Sequence, residues 1–233
     1  VIVPSMENRN YRDFYYCLKN YAEVRGFIVE LLVTNNNRKS EYDMLQRAKA
    51  VMAFGVAAVT CMNQEGCREA YAGFENLCFV GRGNGRLDAV SNALKNYFGF
   101  DYELAGKRIA EKVISEDFHR IAVITDSMRF SNEHDFSRGL CSRFRGGKVK
   151  YTHITTHNRR VSHSMIDLLM KEEDYDAVVT SNIRFTEKIR HVVENFSLEQ
   201  PIPIFTLSSV TSLPEQDYRK YELNYGLLGR AVA

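Results

Sequence analysis

The stretch DYELAGKRIAEKVISEDFHRIAVIT, residues 101–125, decides how the rest of the chain is read. Leu104, Ile109, Ala110 and Val113 line up as one inward face, which predicts a helix from about Asp101 to Ile114. Asp101 stands just before it, where a carboxylate can accept the free backbone N–H groups of a first helical turn. The unbroken run Ile121 to Thr125 then reads as a buried strand, too short for a helix and closed by the polar Asp126. A helix running directly into a buried strand is half of a repeating βα pattern, and that pattern starts afresh here. A boundary between two lobes is therefore expected near 117/118.

Working towards the start of the chain, Val1 to Val3 begins a strand, and Phe14, Cys17, Leu18, Tyr21 and Val24 follow at helical spacing. Gly26 stands where a helix C-terminal glycine belongs. Phe27 to Val33 reads as a second strand and Asn35 to Asn37 as a loop; Ser40 is the expected cap of a helix with an apolar stripe of Met44, Leu45, Ala48, Val51 and Met52. Val56 to Cys61, a short helix near Glu65 to Ala72, and Leu77 to Val80 complete the first series. Between Asp88 and Phe100 the apolar residues suit a helix or a strand equally well. Towards the end of the chain, strands are expected at Val149 to Ile154, Ala177 to Thr180 and Ile204 to Leu207. Helices are expected near Glu133 to Phe144, Ser162 to Lys171 and Phe185 to Asn195. The fold class is α/β with mainly parallel sheets.

The chain has 233 residues, enough for one large domain or two smaller lobes. A formal net charge of +2 provides no basic field that would argue for nucleic-acid binding by this segment itself. No stretch approaches the roughly 20 apolar residues of a membrane span. Five scattered cysteines, Cys17, Cys61, Cys67, Cys78 and Cys141, lack the spacing of a zinc or redox pair and suit a reducing, cytoplasmic setting.

Motifs for catalysis are absent. The sequence Arg82-Gly83-Asn84-Gly85 contains a GxG, but it neither follows the first strand nor opens a helix, as a phosphate fingerprint requires. The six histidines, His119, His134, His153, His157, His163 and His191, make no metal-ligand pair. We expect no enzyme, no metal and no cofactor. In open α/β sheets ligands bind beyond the carboxyl ends of strands, which selects the loops 4–11, 62–65, 81–85, 126–132, 155–159, 181–185 and 208–212. They mix amides and hydroxyls with aromatic rings, a chemistry suited to a carbohydrate or nucleoside-like ligand. Asn8, Asn182 and Asp101 each stand where they could cap a helix or hold a ligand hydroxyl, and Tyr11 could face ligand or cover the edge of the core.

Several stretches carry a resemblance to the effector domain of the LacI/GalR family of bacterial regulators. Asp101-Tyr102 through Ala105-Gly106 to Ala110, then His119-Arg120-Ile121-Ala122, is similar to the family's "D-N-x-x-A-G-x-x-A … H-R-x-I-A". Val3-Pro4-Ser5 with Asn8-Arg9-Asn10-Tyr11 resembles its first strand and ligand loop, with Arg9 in place of proline, and Phe54 to Val59 its third-strand entry. Phe79-Val80-Gly81-Arg82 resembles "V-x-D-R", Arg138-Gly139-Leu140 part of "R-x-x-G-F", Asp176 to Asn182 the "D-A-I-x-x-x-N-D" strand, and Tyr225 to Ala231 a helix that returns to the first lobe.

The resemblance implies a two-lobed, periplasmic-binding-protein-like fold, each lobe a parallel sheet flanked by helices: 1–117 with 223–233, and 118–222. It implies a regulator of carbohydrate-metabolism genes acting as a homodimer. Operator DNA would be reached through a helix-turn-helix that this sequence does not contain, and relatives continue beyond Ala233 with further elements. The expected effector is a sugar or sugar derivative, contacted by Ser5, Asn8, Tyr11, Asp101, Arg138, Asn182, Ser208 and Tyr225. The alternative is a periplasmic sugar-binding protein of a transport system. The family's arginine before the helix glycine falls on Phe136, with Arg129 or Arg138 as substitutes; the aspartate after Asn182 is Ile183, and an aspartate pair is replaced by Ser208 and Ser209.

Overall fold

The structure, a computed structural model, describes residues 1–62, 64–82, 97–128, 130–155, 175–182, 186–187, 189–190, 202–208 and 219–233. The helix expected at 162–171, most of that at 185–195, the undecided stretch up to residue 96, and His157, Arg129, Ile183 and Ser209 lie outside the described residues. The chain forms two compact units. One holds residues 1–100, 130–132 and 224–233, the other 101–129 and 133–223.

The first unit is built on a five-stranded sheet in the order β2-β1-β3-β4-β5. Its strands are β1 (Ile2–Val3), β2 (Leu32–Val33), β3 (Gly55–Ala58), β4 (Asn76–Val80) and β5 (Tyr97–Phe98), every pairing parallel. β2 is shorter than the apolar run from Phe27 suggested, because its register meets only Ile2 and Val3; Ile28 is left almost wholly exposed. Helix α1 (Arg9–Glu23) turns Phe14, Tyr15, Leu18 and Ala22 inward, and fully burying a side chain such as Phe14 contributes roughly 2–3 kcal/mol. Val24, read as part of this face, is exposed. Gly26 ends the segment at φ +85°, with Phe27 N–H donating to the Ala22 carbonyl and Gly26 N–H to Glu23, the double bond of a left-handed helix stop.

Helix α2 (Arg38–Ala50) is capped by Asn37, whose Oδ1 accepts the Ser40 N–H at 3.1 Å, so Ser40 lies inside the first turn and is not the cap. Its expected apolar stripe is also corrected. Leu45 is buried, but Val51 and Met52 lie beyond the helix and are exposed, while the fully buried partner of Leu45 is Glu41. Helix α3 (Gln64–Ala70) connects β3 to β4.

The second unit repeats the strand order with different strands: β6 (Arg120–Thr125), β7 (Lys150–Thr155), β8 (Ala177–Thr180), β9 (Ile204–Ser208) and β10 (Arg219–Glu222) form the parallel sheet β7-β6-β8-β9-β10. β10 had no sequence signal: its residues Arg219-Lys220-Tyr221-Glu222 are polar because it is an edge strand, and charge is how edges are kept from pairing further. Helix α4 (Tyr102–Ser115) buries Ala105, Gly106, Ile109, Ala110 and Val113; Leu104, read as inward, is 41% exposed. Helix α5 (Ser131–Phe144) crosses α4 so closely that a Cβ on Gly106 would fall on the Phe136 carbonyl, and one on Gly139 on the Glu103 carbonyl. This packing places 101–117 in the second unit, whereas the sequence reading assigned it to the first lobe. Helix α6 (Tyr225–Val232) belongs to the first unit, where Gly229 lies against the Phe14 and Leu18 backbone of α1.

Asp101 is the N-cap of α4, its Oδ1 accepting Leu104 N–H at 2.8 Å. Asp101→Ala is expected to cost about 1 kcal/mol in urea unfolding, with Asp101→Asn nearly neutral. Equal losses for both would show that charge, not the cap geometry, matters there.

Candidate functional site

Each sheet reverses its winding once, between β1 and β3 in the first unit and between β6 and β8 in the second. At such a switch the connections leave in opposite directions and open a crevice at the strand carboxyl ends, where ligands of α/β sheets bind.

In the first unit, β1 ends in the buried Pro4 and Ser5, and Ser5 Oγ accepts the Glu7 N–H at 3.2 Å. The chain then enters α1, where Asn8 is the N-cap, its Oδ1 taking Asn10 N–H at 3.0 Å. Asn10, a neighbour that sequence reasoning passed over, is only 7% exposed, and its Oδ1 has no hydrogen-bond partner among the described residues. An unsatisfied buried acceptor costs about 1–3 kcal/mol. The tyrosines expected at the site do meet: Tyr11 packs edge-on against Tyr225 at 6.2 Å between ring centres, and Phe100 lies 5.0 Å from Tyr225 on another side.

Two charged groups sit beneath and across this edge. Glu41 is completely buried and accepts hydrogen bonds from Thr60 Oγ1 at 2.5 Å, Tyr71 Oη at 2.6 Å and Cys61 N at 2.7 Å. Burial pushes the Tyr71 phenol well above its usual range and the neighbouring Cys67 thiol up to about 11, so both stay protonated as donors. Arg82, directly after β4 and 4% exposed, donates from Nε to the Thr60 carbonyl at 2.8 Å and from Nη2 to Asn36 Oδ1 at 2.6 Å. Its guanidinium carbon stands 4.1 Å from the ring centre of Phe130, which belongs to the same unit. Neither Glu41 nor Arg82 carries a sequence signal of burial: both are ordinarily surface types, and only the chain's return beside β3 encloses them.

In the second unit β8 ends at Thr180, bonded to the hydroxyls of Thr186 (2.6 Å) and Thr206 (2.9 Å). Next come Ser181, 6% exposed, whose Oγ has no hydrogen-bond partner among the described residues, and Asn182, whose carbonyl accepts from the Thr180 and Thr186 hydroxyls. Ser208 closes β9, fully buried, its carbonyl taking Leu223 N–H at 2.8 Å. β6 ends at Thr125, whose Oγ1 shares a 2.9 Å hydrogen bond with His153 Nε2. Two expected contacts have other tasks. Asp101 is spent on its cap, and Arg138 lies in mid-α5, ion-paired with Glu103 at 2.5 Å and Asp135 at 3.1 Å. Lys107 and Arg138 in turn hold the Glu103 carboxyl below its usual range.

Desolvation lowers the His153 pKa below 6.5. A depressed imidazole pKa contributes stability that is present above the unfolded-state value near 6.5 and is lost as pH falls through the folded value. The urea midpoint of the protein is therefore expected to fall between about pH 7 and pH 5.5 more steeply than that of His153→Gln, and parallel curves would show that His153 carries no such linkage.

No family model matches the chain, and no curated protein matches it by sequence. Solved structures do match in fold. The Cra transcriptional dual regulator of Pseudomonas putida, in complex with fructose 1-phosphate, superposes with a TM-score of 0.85 at 15% identity over 99% of this chain and 87% of that one. The Caulobacter myo-inositol binding protein bound to myo-inositol gives 0.83 at 18% identity, over 99% and 82%. A LacI transcriptional regulator from Lactobacillus brevis gives 0.83 at 14% identity, over 99% and 88%. The fold is thus the two-lobed α/β fold shared by LacI-type regulators and periplasmic-binding-protein-like proteins.

Proposed function

We propose that this chain is the effector-binding part of a LacI-type transcriptional regulator and that its ligand is a small polyhydroxylated molecule. The observation that carries the reading is that two buried side-chain atoms, Asn10 Oδ1 and Ser181 Oγ, have no hydrogen-bond partner among the described residues, each next to the switch point of its own sheet. An acceptor and a hydroxyl left open in this way suit ligand hydroxyl groups, and the adjoining Tyr11 and Tyr225 rings suit the apolar face of a sugar ring. The residues that this reading proposes for ligand contact are Ser5, Asn8, Asn10, Tyr11 and Tyr225 within the first unit and Ser181, Asn182 and Ser208 within the second, each unit taken by itself. Asp101 and Arg138 remain candidates beside this set; the Asp101 carboxylate caps its helix as Asn8 caps α1, and the Arg138 guanidinium is ion-paired with Glu103 and Asp135. DNA binding through a helix-turn-helix segment, and homodimerisation, complete the proposal for the whole regulator. Five free cysteines favour a cytoplasmic regulator over an exported binding protein, the second reading that the myo-inositol-binding neighbour supports.

Thermal melting against pentoses, hexoses, disaccharides and their derivatives tests this. A ligand at about 100 times its dissociation constant adds about 2.7 kcal/mol, a shift of a few degrees for a chain of this size. One sugar class is expected to raise the melting temperature, and Asn10→Ala to weaken that ligand by about 3- to 10-fold. A panel in which no polyol shifts the transition overturns the reading.

A further inference from the structure

We infer that Thr186 is a positioning residue of the effector site: with Thr180 and Thr206 it ties down the chain that presents Ser181 and Asn182. The inference rests on the effector reading above and adds what holds the contacts of the second unit in place. Its basis is a set of three hydroxyls in a place where an apolar core needs none. Thr180, Thr186 and Thr206 are each 0% exposed, while the rest of β8 is Ala177-Val178-Val179 and β9 carries the buried Ile204, Phe205 and Leu207. Valine has nearly the shape of threonine and can be buried without a partner, whereas a buried hydroxyl must find one. Here the hydroxyls find one another: Thr180 to Thr186 is 2.6 Å, Thr180 to Thr206 is 2.9 Å and Thr186 to Thr206 is 2.9 Å. A closed triangle of this kind engages the single proton of each hydroxyl.

The third member of the triangle says what it is for. Thr180 and Thr206 are register partners on adjacent strands, so sheet pairing alone brings those two together. Thr186 comes from the chain beyond Asn182, and its bond to Thr180 closes the base of the segment 180–186, so that the chain bearing Ser181 and Asn182 leaves and returns at one point. Inside this segment the Asn182 carbonyl lies 3.3 Å from the Thr180 hydroxyl and 3.4 Å from that of Thr186, and it also receives the Thr186 N–H at 3.5 Å. On the other side the Ser181 N–H donates to the Ile124 carbonyl of β6 at 3.1 Å. The two contact residues are thus pinned from β6, from β9 and by their own returning chain, while Ser181 Oγ keeps no hydrogen-bond partner among the described residues. Contact groups fixed before the ligand arrives lose less freedom when it binds, which tightens binding without any further contact.

The test compares Thr186→Val with Thr186→Ser. Thr186→Val keeps the shape and removes the tie, and it orphans no hydroxyl, because Thr180 and Thr206 stay bonded to each other. Thr186→Ser keeps the tie and loses a methyl group. Calorimetric titration with the pentoses, hexoses and disaccharides of the panel above, thermal melting, and amide exchange at Ser181 and at residue 186 are measured on both variants and on the wild-type chain. The expected result is a crossed pattern. Thr186→Val melts within a few degrees of wild type, binds the ligand about 5- to 10-fold more weakly and exchanges these amides about tenfold faster; Thr186→Ser melts lower but binds within about twofold of wild type. A folded Thr186→Val that binds as tightly as wild type overturns the inference and leaves the effector reading intact, as does a Thr186→Ser that weakens the ligand as much as Thr186→Val. Should Thr186→Val not fold, Thr206→Val decides: it removes the anchor on β9, several-fold weaker binding supports the inference, and unchanged binding overturns it. If no panel member binds even the wild-type chain, the effector reading falls and the inference with it.

Discussion

Glu41→Ala is expected to lose about 3–5 kcal/mol of unfolding free energy, enough to leave a marginally stable unit largely unfolded at 37 °C. Three donors converge on this carboxylate, from Thr60, Tyr71 and the Cys61 backbone, and all are buried with it. Removing the acceptor leaves each donor without its partner, and the empty side-chain volume adds a cavity cost. Tyr71→Phe removes one donor and leaves the other two, so its expected loss is smaller, about 1–2 kcal/mol. Urea unfolding of the two variants checks this ordering. A Glu41→Ala protein as stable as Tyr71→Phe would mean that water replaces the carboxylate and that the cluster is less closed than its geometry implies. Since α2 is anchored by Glu41 and Leu45, the same loss should free that helix, read as rapid amide exchange over 38–50.

Gly139→Val is expected to cost about 3 kcal/mol or more and to break the packing of α4 on α5. A Cβ at Gly139 falls on the Glu103 carbonyl and close to the Lys107 N–H, which are backbone atoms that cannot swing aside as a side chain can. The reciprocal contact of Gly106 with the Phe136 carbonyl and Leu140 N–H leaves the two helices no slack to slide apart on one side only. Gly139→Ala should already show most of the effect, while Gly147→Ala, where the same atom meets only ordinary contacts, should be close to neutral. Thermal melting of these variants is sufficient, and a mild Gly139→Ala would show that the helices can separate at little cost.

The fold was largely legible because period carries it. Ile121 to Thr125 and Ala177 to Thr180 are continuous apolar runs, as strands buried on both faces require, and they form β6 and β8. The errors came where neighbours decide. Val51, Met52 and Ile28 are as apolar as any core residue, yet they lie at the amino edge of the first sheet, where nothing among the described residues covers them. β10 is charged because it is an edge, and a strand signal based on hydrophobicity passes over it. Of the proposed contacts, Ser5, Asn8, Tyr11, Asn182 and Ser208 come from the rule that strand carboxyl ends bind ligands, whereas Asp101, Arg138 and Tyr225 lie outside the loops it selects; the cap held by Asp101 and the ion pair held by Arg138 are pairings that sequence alone does not display.

By itself, then, the sequence determined the class of the fold, the order of its elements and the loops from which a ligand could be held, because these follow from local period and from the positions of turns and caps. Only the tertiary structure decided that both units wind in the same strand order, since no sequence repeat records it. It alone decided that α4 packs with the second sheet, through glycines whose lack of a side chain matters only where another backbone arrives. It alone enclosed Glu41 and Arg82 and left Asn10 Oδ1 and Ser181 Oγ without a hydrogen-bond partner among the described residues, because burial and hydrogen bonding belong to pairs of residues that the chain brings together from far apart.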